Sequence, residues 1–221
     1  GVKAFVFSST CATYGEPQKL PMDETHRQLP VSPYGWSKLM VERMSTDIAA
    51  AYGSKFAHLR YFNAAGAAPD EGIGERHEPE SHAIPLALFT LLGRRDGFKI
   101  FGSDWDTRDG TCLRDYVHTL DLADAHVRAI ERLLARGESL NANLGTGDGV
   151  TVRELLAAIE RVTGRKVPAA DAPRRDGDAP ALLADNAYAK RELGWSPARN
   201  IDAIISDAWK WHSEVEPKLF V

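Results

Sequence analysis

The stretch that decides the fold is Ser32-Pro33-Tyr34-Gly35-Trp36-Ser37-Lys38. A serine followed by a proline is typical of a helix start, because serine caps the first turn and proline fits the first helical position. The residues that follow repeat apolar side chains at helical spacing: Met40, Met44, Ile48 and Tyr52. We therefore expect a helix that ends near Gly53, with Tyr34 and Lys38 four positions apart on one face.

The predicted proximity of Tyr34 and Lys38 suggests acid–base chemistry. A free phenol has a pKa of about 10 and is a poor base at neutral pH. A nearby cation favours the phenolate, and a shift of about 3 units corresponds to about 4 kcal/mol. Such a pair can act as a general base or acid near pH 7. The spacing alone also fits an ordinary tyrosine and lysine on an exposed helix turn. Other parts of the sequence are needed to choose between the two interpretations.

Composition and charge exclude several classes of protein. The 221 residues can bury a sizeable core and suit one large domain or two small ones. A formal net charge of −4 gives no basic surface for nucleic acid or anionic lipid, so we expect neither nucleic-acid nor membrane partners. The longest apolar stretch, residues 83–92, is broken by Pro85 and is too short to span a bilayer. Cys11 and Cys112 are isolated, which predicts reduced thiols in a cytoplasmic protein and no metal site.

The start of the chain predicts a strand of a parallel sheet. Residues 3–9 are mostly apolar and suit a short buried strand. Because only two residues precede this strand, we expect the chain to be a fragment of a longer protein. Ser9 and Thr10 close the strand, and open α/β sheets bind ligands at the carboxyl ends of their strands. A hydroxyl there could bond a reacting oxygen, although a solvated loop is the simpler alternative for each residue alone.

The remaining elements follow from periodicity and capping signals. The sequence predicts strands over 56–62 and 140–144, and helices over 84–95, from Asp121, from the capping box Thr151-Val152-Arg153-Glu154 to Gly164, and from Asn200. Residues 15–33 and 66–83 are predicted loops, the second lying over a site. We interpret His126, Trp209 and Trp211 as packing residues.

Several segments resemble the extended short-chain dehydrogenase/reductase family. They begin with a strand ending in Ser-Ser-Thr, a Tyr-Gly pair and the Tyr34–Lys38 helix. The segments that resemble the UDP-glucose 4-epimerases of that family include Arg60-Tyr61-Phe62-Asn63-Ala64-Ala65-Gly66, Pro79-Glu80-Ser81-His82-Ala83-Ile84-Pro85, Arg114-Asp115-Tyr116-Val117-His118 and Arg174-Arg175-Asp176-Gly177-Asp178. The resemblance implies the C-terminal part of a Rossmann-type doubly wound parallel sheet plus a smaller α/β substrate-binding domain. It divides the chain into a cofactor part, residues 1–66 with 116–145, and a UDP-sugar part, residues 67–115 and 146–221.

The resemblance also implies an activity and its residues. The activity is reversible epimerisation at C4 of a UDP-hexose, UDP-glucose or UDP-galactose, through a 4-keto intermediate with bound NAD, in a homodimer. The implied catalytic residues are Tyr34 as the base, Lys38 as the cation that stabilises the phenolate, and Thr10 as the partner of the C4 oxygen. The implied cofactor-binding residues are Ser8, Ser9, Tyr34, Lys38 and Tyr61. The implied substrate-binding residues are Thr10, Asn63, His82, Lys99, Phe101, Arg114, Arg175, Asp178 and Leu182, the last as a gate for sugar size.

One departure from the family leaves alternatives open. No Gly-x-x-Gly-x-x-Gly occurs in the 221 residues, although the family holds the cofactor pyrophosphate on such a turn. We therefore expect residues 1–221 alone to be inactive. The alternatives are a UDP-pentose 4-epimerase, a nucleotide-sugar 4,6-dehydratase or a non-catalytic UDP-sugar-binding fragment. The dehydratase needs an Asp-Glu pair directly after the threonine, where this chain has Cys11-Ala12.

Overall fold

The computed structural model describes residues 1–219, and helices and strands alternate along them. The strands are β1 (Ala4–Thr10), β2 (Lys55–Tyr61), β3 (Asn63–Ala65), β4 (Phe98–Phe101), β5 (Leu113–Arg114), β6 (Tyr116–His118), β7 (Leu140–Leu144), β8 (Val150–Thr151), β9 (Ala169–Ala172) and β10 (Ala181–Leu182). The α-helices are α1 (Pro33–Tyr52), α2 (Ala83–Leu91), α3 (Thr119–Arg136), α4 (Val152–Thr163), α5 (Ala187–Leu193), α6 (Ile201–Lys210) and α7 (Glu216–Leu219). Across the described range, none of these helices is long and apolar enough to cross a bilayer.

A parallel sheet in the order β1-β2-β7 forms the first half of the fold. Successive side chains of a strand point to opposite faces, and β1 shows which helix covers each face. Ser9 bonds Glu42 of α1, whereas Ser8 lies beside His126 of α3. Parallel strands covered by helices on both faces are typical of doubly wound sheets, so the predicted α/β fold class is confirmed.

Strand β1 is less buried than its apolar sequence predicts. Among residues 1–219 it pairs only with β2, so it lies at an edge of the sheet. Phe5 accordingly exposes 43% of its surface. Burial rises toward the carboxyl end of the strand, where Ser9 and Thr10 are both buried. The two hydroxyls therefore lie within the packed end of the sheet.

Helix α1 begins and ends where its sequence predicts. The Ser32 hydroxyl accepts a hydrogen bond from the Gly35 amide at 3.1 Å, and Pro33 occupies the first turn. Gly53 ends the helix with a φ of 73°, a left-handed conformation that favours glycine. The apolar stripe that predicted the helix faces outward: Trp36, Met40, Met44, Ile48 and Tyr52 are exposed. The buried positions of the helix are instead Gly35, Leu39, Glu42 and Ser45.

The second half of the fold packs α2, α4 and α6 around a separate core. The predicted capping box is present, since Thr151 Oγ1 accepts from the Glu154 amide at 3.2 Å while Glu154 Oε2 accepts from the Thr151 amide at 2.9 Å. Asn200 caps α6 as predicted. Helix α2 ends at Leu91 instead of residue 95, and most of its residues are buried because α4, α6 and β4 all pack against it.

The packing of α5 differs from the predicted division of the chain. Residues after 146 were assigned to the UDP-sugar part, but Ala189, Leu193 and Trp195 pack in the core of the first sheet. Trp195 fixes this arrangement, because its indole N–H donates to the Asp121 carbonyl of α3 at 2.8 Å. Both halves of the fold therefore contain residues from the last third of the chain.

Candidate active site

The Tyr34–Lys38 pair lies beside the carboxyl end of β1. Lys38 Nζ is 5.7 Å from the centre of the Tyr34 ring and 5.1 Å from the centre of the Phe7 ring. It also donates to the Ser8 carbonyl at 3.0 Å, which ties the ammonium group to the sheet. The Tyr34 side chain is not buried, since the residue exposes 55% of its surface. The predicted neighbourhood of phenol and ammonium is therefore present and open to a ligand.

Ser8, Tyr61 and His126 form a polar cluster on the α3 face of the same sheet end. The Tyr61 hydroxyl lies 2.8 Å from Ser8 Oγ and 2.6 Å from His126 Nε2. His126 Nδ1 donates to the Leu122 carbonyl at 2.8 Å, which aims Nε2 at the tyrosine. Burial raises the pKa of Tyr61, the Ser8 hydrogen bond lowers it, and the charge of Tyr34 raises it further. The two predicted cofactor-binding residues Ser8 and Tyr61 thus lie together, and His126 does more than pack.

Ser9, the third predicted cofactor residue of β1, takes part in a buried network. Its hydroxyl donates to Glu42 Oε1 at 2.5 Å. Arg60 donates to the two oxygens of Glu42 at 3.0 and 2.7 Å, and both side chains are about 95% buried. Arg60 also donates to the Tyr14 hydroxyl, which in turn donates to Asn143 Oδ1. Ser9 therefore faces α1 and takes part in this network. Ser8 lies on the opposite face of the sheet.

Sequence reasoning missed the Glu42–Arg60 pair. An arginine within the otherwise buried strand β2 was the available signal, because a buried charge needs a charged partner. Burial raises the pKa of Glu42, but the hydrogen bonds and charge of Arg60 outweigh burial and lower it overall. The pair joins α1 to β2 one helical turn beyond Lys38, so it fixes the helix that carries the Tyr34–Lys38 pair.

Thr10 is the last residue of β1 and caps the turn that follows. Its side-chain oxygen accepts a hydrogen bond from the Ala12 amide at 3.1 Å and so caps the 3-10 turn Cys11–Thr13. The Thr10 hydroxyl also lies within hydrogen-bond reach of the Cys11 thiol. The next residue, Cys11, is buried beside Leu182 and lies within electrostatic range of Arg114. The Thr10 turn therefore adjoins the arginine of the second part of the site.

A cleft of about 230 Å³ brings most of the predicted substrate residues together. Seven of the nine line its wall: Asn63, His82, Lys99, Phe101, Arg114, Arg175 and Asp178. The other two, Thr10 and Leu182, lie outside this wall next to the cluster that contains Cys11. Leu182 pairs in register with Arg114 across β10 and β5. The structure thus places the predicted residues around one region, while their binding roles stay predictions.

Two arginines and one aspartate form the charged part of the cleft. Arg175 donates to both oxygens of Asp178, at 2.9 and 3.1 Å, and its guanidinium lies 4.9 Å from the centre of the Phe101 ring. Arg114 donates to the Ala179 carbonyl at 2.9 Å and has one nitrogen 3.6 Å from Asp178. One carboxylate therefore fixes two guanidinium groups, whose planar donors suit phosphate oxygens.

Asn63 carries an unpartnered polar atom into the wall of the cleft. Its side-chain oxygen is buried and has no hydrogen-bond partner among residues 1–219. Its backbone amide donates to the Asp115 carbonyl at 2.9 Å, which fixes the residue. A buried polar atom without a partner is costly, so a ligand hydroxyl or amide that donated to this oxygen would be favoured.

Asp115, next to Arg114, binds backbone amides of neighbouring segments through its carboxylate. It is fully buried, and its oxygens accept from the backbone amides of Thr146, Gly147 and Ala184 at 2.7, 3.0 and 3.1 Å. Burial raises the pKa of this carboxyl, and the Thr146 hydrogen bonds lower it in part. Asp115 thereby joins β5 to the Gly145–Gly147 turn and holds the neighbouring arginine against the cleft.

His82 lies at the start of α2 in a group of charged side chains. Its imidazole contacts Glu75, and Nδ1 is 3.3 Å from Glu80 Oε1. The hydrogen bond that His82 donates to Glu75 raises the pKa of His82. The residue lines the cleft, and its Nδ1 atom has a carboxylate partner. A substrate contact made while this ion pair is present would use the other ring nitrogen.

The fold and this site define a Rossmann-type α/β protein with a Tyr-x-x-x-Lys helix and an arginine-lined cleft. The sequence profile of the family described as GDP-mannose 4,6 dehydratase matches residues 2–208, so the chain belongs to that family.

The chain is similar to curated UDP-glucose 4-epimerases. It is 58% identical over 215 residues to the one from Rhizobium leguminosarum bv. trifolii and 57% identical over 213 residues to the one from Rhizobium meliloti (strain 1021). These alignments cover 97% and 96% of the chain but 65% of each relative, so the chain spans about two thirds of their length.

Solved structures show the same likeness. The UDP-glucose 4-epimerase from Stenotrophomonas maltophila, crystallised with NAD and formylated UDP-arabinopyranose, matches with a TM-score of 0.95 at 40% identity, over 99% of this chain and 66% of that one. The UDP-glucose 4-epimerase from Brucella ovis in complex with NAD matches with a TM-score of 0.90 at 49% identity, over 94% of this chain and 64% of that one. These matches confirm the Rossmann-type fold and the resemblance to the epimerases.

Proposed function

We propose that the full-length protein catalyses the NAD-dependent, reversible epimerisation of a UDP-hexose at C4. The observation that carries this proposal is the placement of the Tyr34–Lys38 pair beside a cleft that presents Arg114 and Arg175. The first element suits proton transfer at a sugar hydroxyl and the second suits a diphosphate. The similarity to UDP-glucose 4-epimerases supports the combination.

The donors at the carboxyl edge of the sheet fit a nicotinamide nucleotide. Lys38 Nζ, anchored on the Ser8 carbonyl, retains two further N–H groups, and the Ser8 and Tyr61 hydroxyls lie at the same edge. Bound NAD would supply a reversible hydride acceptor for the sugar carbon. Lys38 would bind the nicotinamide ribose and stabilise the Tyr34 phenolate. Ser8 and Tyr61 would bind the nicotinamide end.

Tyr34 and Thr10 would act at the reacting oxygen of the sugar. The exposed Tyr34 phenolate would accept the proton of the C4 hydroxyl and return it once the configuration at C4 has changed. The Thr10 hydroxyl, whose oxygen already accepts the Ala12 amide, would donate to the C4 oxygen. Together the two side chains would hold that oxygen in place during both proton transfers.

The cleft would hold the UDP part of the substrate. Arg114 and Arg175 would bind the diphosphate, and the orphaned Asn63 oxygen would accept a hydrogen bond from the sugar. Asp178, which holds both arginines, would also bind the uridine ribose. Strand β4 pairs with β9 along one edge, and in the described part of the chain its other edge has no strand partner. That free backbone edge at Lys99 and Phe101 would bind the uracil.

The competing dehydratase reaction is disfavoured by the turn after Thr10. Elimination of water needs a further acid and base, which that chemistry takes from an Asp-Glu pair at this position. Here the two residues are Cys11 and Ala12, and burial raises the pKa of the Cys11 thiol to about 12. A buried thiol and a methyl group provide neither function at neutral pH. Oxidation and reduction at C4 need no such pair.

We also infer a homodimer for the full-length protein and a cytoplasmic location. The outward stripe of α1, defined as Trp36, Met40, Met44, Ile48 and Tyr52, is a continuous apolar surface on one helix. Exposed apolar patches of this kind are typical of protein interfaces, and a twofold axis would pair the stripe with itself. Two buried free thiols, Cys11 and Cys112, suit a reducing compartment.

The experiment that tests the activity compares Tyr34→Phe with Tyr52→Phe in the full-length protein. Tyr52 ends the same helix and is exposed, so it is a matched control. Loss of the proton acceptor should lower kcat for UDP-galactose to UDP-glucose conversion by about 100- to 10,000-fold while UDP binding stays unchanged. Near-normal turnover in Tyr34→Phe would contradict the assigned base. Absence of any turnover in the wild-type protein with NAD would contradict the activity itself.

A further inference from the structure

Four side chains of the loop before α2 converge on one point beside the cleft. Glu75, His77, Glu80 and His82 each offer one oxygen or imidazole nitrogen, and these atoms all lie within 4.8 Å of one another. Glu80 Oε1 is 3.6 Å from His77 Nδ1 and 3.3 Å from His82 Nδ1. The rings of His77 and His82 are stacked, with centres 5.4 Å apart. We refer to these four residues as the His–Glu cluster.

The surrounding structure holds the cluster in place. The Trp211 indole N–H donates to the Glu75 carbonyl at 2.8 Å. Gly74 packs against the Trp211 indole ring. A Cβ at this position would lie 2.1 Å from the ring, so a larger residue does not fit there. At the other end, Glu80 Oε1 accepts from the amides of Ser81 and His82 at 2.6 and 2.7 Å. The backbone at Glu75 and the carboxylate of Glu80 are therefore held in place without an ion.

The buried carboxylate of Glu80 is a second, independent indication of a bound ion. Its side chain exposes 6% of its surface, and Oε2 is buried without a hydrogen-bond partner within residues 1–219. A buried carboxylate oxygen with no donor is costly. An ion pair between His82 and Glu75 explains their own contact, but it leaves this oxygen without a partner. A cation bound by the Glu80 carboxylate would give the oxygen a partner.

We propose that the His–Glu cluster binds one divalent transition-metal ion, with Zn²⁺ as the best match. Two imidazoles and two carboxylates are ligands that Zn²⁺ accepts in tetrahedral geometry at about 2.0–2.2 Å. Ligand atoms of such a tetrahedron are about 3.4 Å apart. The separations of 3.3 and 3.6 Å around Glu80 agree with that value. The hydrogen bond between His82 and Glu75 is shorter, so it would have to open for both atoms to bind the same ion. The two carboxylates also balance the charge of the ion.

The position of the cluster gives the ion a structural role. Glu75 and His82 line the cleft, whereas His77 and Glu80 lie on the loop between them. A bound ion would therefore join two ends of the loop 75–82 and fix the wall of the cleft at the start of α2. The spacing of the two cysteines predicted no metal site. The pattern Glu-x-His-x-x-Glu-x-His over residues 75–82 is the sequence signal for this one.

Metal binding by the full-length protein, with any purification tag removed, tests the proposal. After treatment with a chelator, the protein is titrated with Co²⁺, whose visible absorption reports tetrahedral coordination, and Zn²⁺ is then added as a competitor. We expect one Co²⁺ per chain, displacement by Zn²⁺, and a higher Tm with Zn²⁺ than with chelator. His77→Ala and Glu80→Gln should each weaken binding by at least about tenfold, since each loses a direct ligand.

Glu78→Gln is the matched control, because Glu78 is an exposed carboxylate of the same loop outside the cluster, and this variant should bind as the wild type does. Thermal unfolding in chelator verifies that each variant is folded. Because His77 is exposed, His77→Ala should fold even if Glu80→Gln does not, and it then tests the proposal alone. Absence of tetrahedral Co²⁺ absorption in the wild type would overturn the proposal. Unchanged affinity in a folded His77→Ala or Glu80→Gln variant would overturn the assignment of ligands.

Discussion

The buried Glu42–Arg60 pair should contribute more to stability than any other charged pair near the site, and the substitution that tests it is Glu42→Gln. This change keeps the shape of the side chain and removes its charge. Arg60 would then remain about 96% buried, with the Tyr14 hydroxyl as its other hydrogen-bond partner in the network. Ser9 would also lose the carboxylate that accepts its hydroxyl. The perturbation therefore leaves a buried guanidinium without its counterion.

The expected magnitude follows from the contacts that are lost. Glu42 accepts two charge-assisted hydrogen bonds from Arg60, and bonds of this kind contribute about 1.5–3 kcal/mol each. Removing one partner of a buried pair typically costs about 3–5 kcal/mol, because the remaining charge stays buried. We expect Glu42→Gln to lower the free energy of unfolding by an amount in that range. The double variant Glu42→Gln/Arg60→Gln should recover part of the loss, since it removes the unpaired charge.

The effect should depend on pH in a defined direction. Burial raises the pKa of Glu42, but the hydrogen bonds and charge of Arg60 lower it by more. The folded-state pKa therefore lies below the ordinary 4.5. A depressed carboxyl pKa contributes stability above the unfolded-state pKa and loses it as the pH falls through the folded-state pKa. The difference in stability between wild type and Glu42→Gln should thus be full at pH 7. It should begin to shrink as the pH falls below about 4.5.

The assay is urea unfolding of the full-length protein at pH 7 and at several acidic pH values, followed by circular dichroism. Arg153→Gln is the control, because its partner Asp171 forms an exposed ion pair that should contribute less than about 1 kcal/mol. A loss below 1 kcal/mol for Glu42→Gln would refute the reasoning about burial. So would a loss that stays constant from neutral to acidic pH.

Two further predictions concern substrate range and assembly. If the proposed epimerase activity holds, the full-length wild-type protein should use UDP-N-acetylglucosamine poorly. Leu182→Ala should raise kcat/KM for that substrate about tenfold or more relative to UDP-glucose, with Leu183→Ala as the control. Equal efficiency of the wild type on both substrates would contradict the gate. Met44→Glu should place a charge in the apolar stripe of α1 and shift the proposed dimer to a monomer, as measured by light scattering. The control Glu131→Gln, on α3, should leave the mass unchanged. An unchanged mass in Met44→Glu would argue against this interface.

Local signals in the sequence predict the elements of this fold well. Ser32 and Gly53 mark the two ends of α1 because capping depends on residues within one turn. The strand 140–144 also has the predicted bounds. Strands such as β5 and β10 could not be predicted, since each has two residues and exists only through pairing with a distant segment. Length and periodicity carry no information about such pairs.

Burial was harder to predict than secondary structure. The apolar residues whose spacing predicted α1 are exposed, whereas the buried face of the helix carries Glu42 and Ser45 beside Arg60 and His58. Polar residues can occupy an interior only when each has a partner, and the partners come from other elements. The same dependence on distant partners explains why the packing of α5 was not foreseen.

The segment Tyr61-Phe62-Asn63 explains how the two parts of the site are joined. Strand β2 ends at Tyr61, whose hydroxyl meets Ser8 at the predicted cofactor edge. Phe62 packs in the cluster that contains Cys11, and Leu182 packs against the same cluster. Asn63 begins β3 and lines the cleft, and its side-chain oxygen is buried without a partner within residues 1–219. Two extended residues span only about 7 Å, so a change in the pairing of β2 would move the cofactor edge, the turn and the cleft wall together. The resemblance to a nucleotide-sugar enzyme could assign roles to these neighbours, but the alternation of directions that separates them is visible only in the structure.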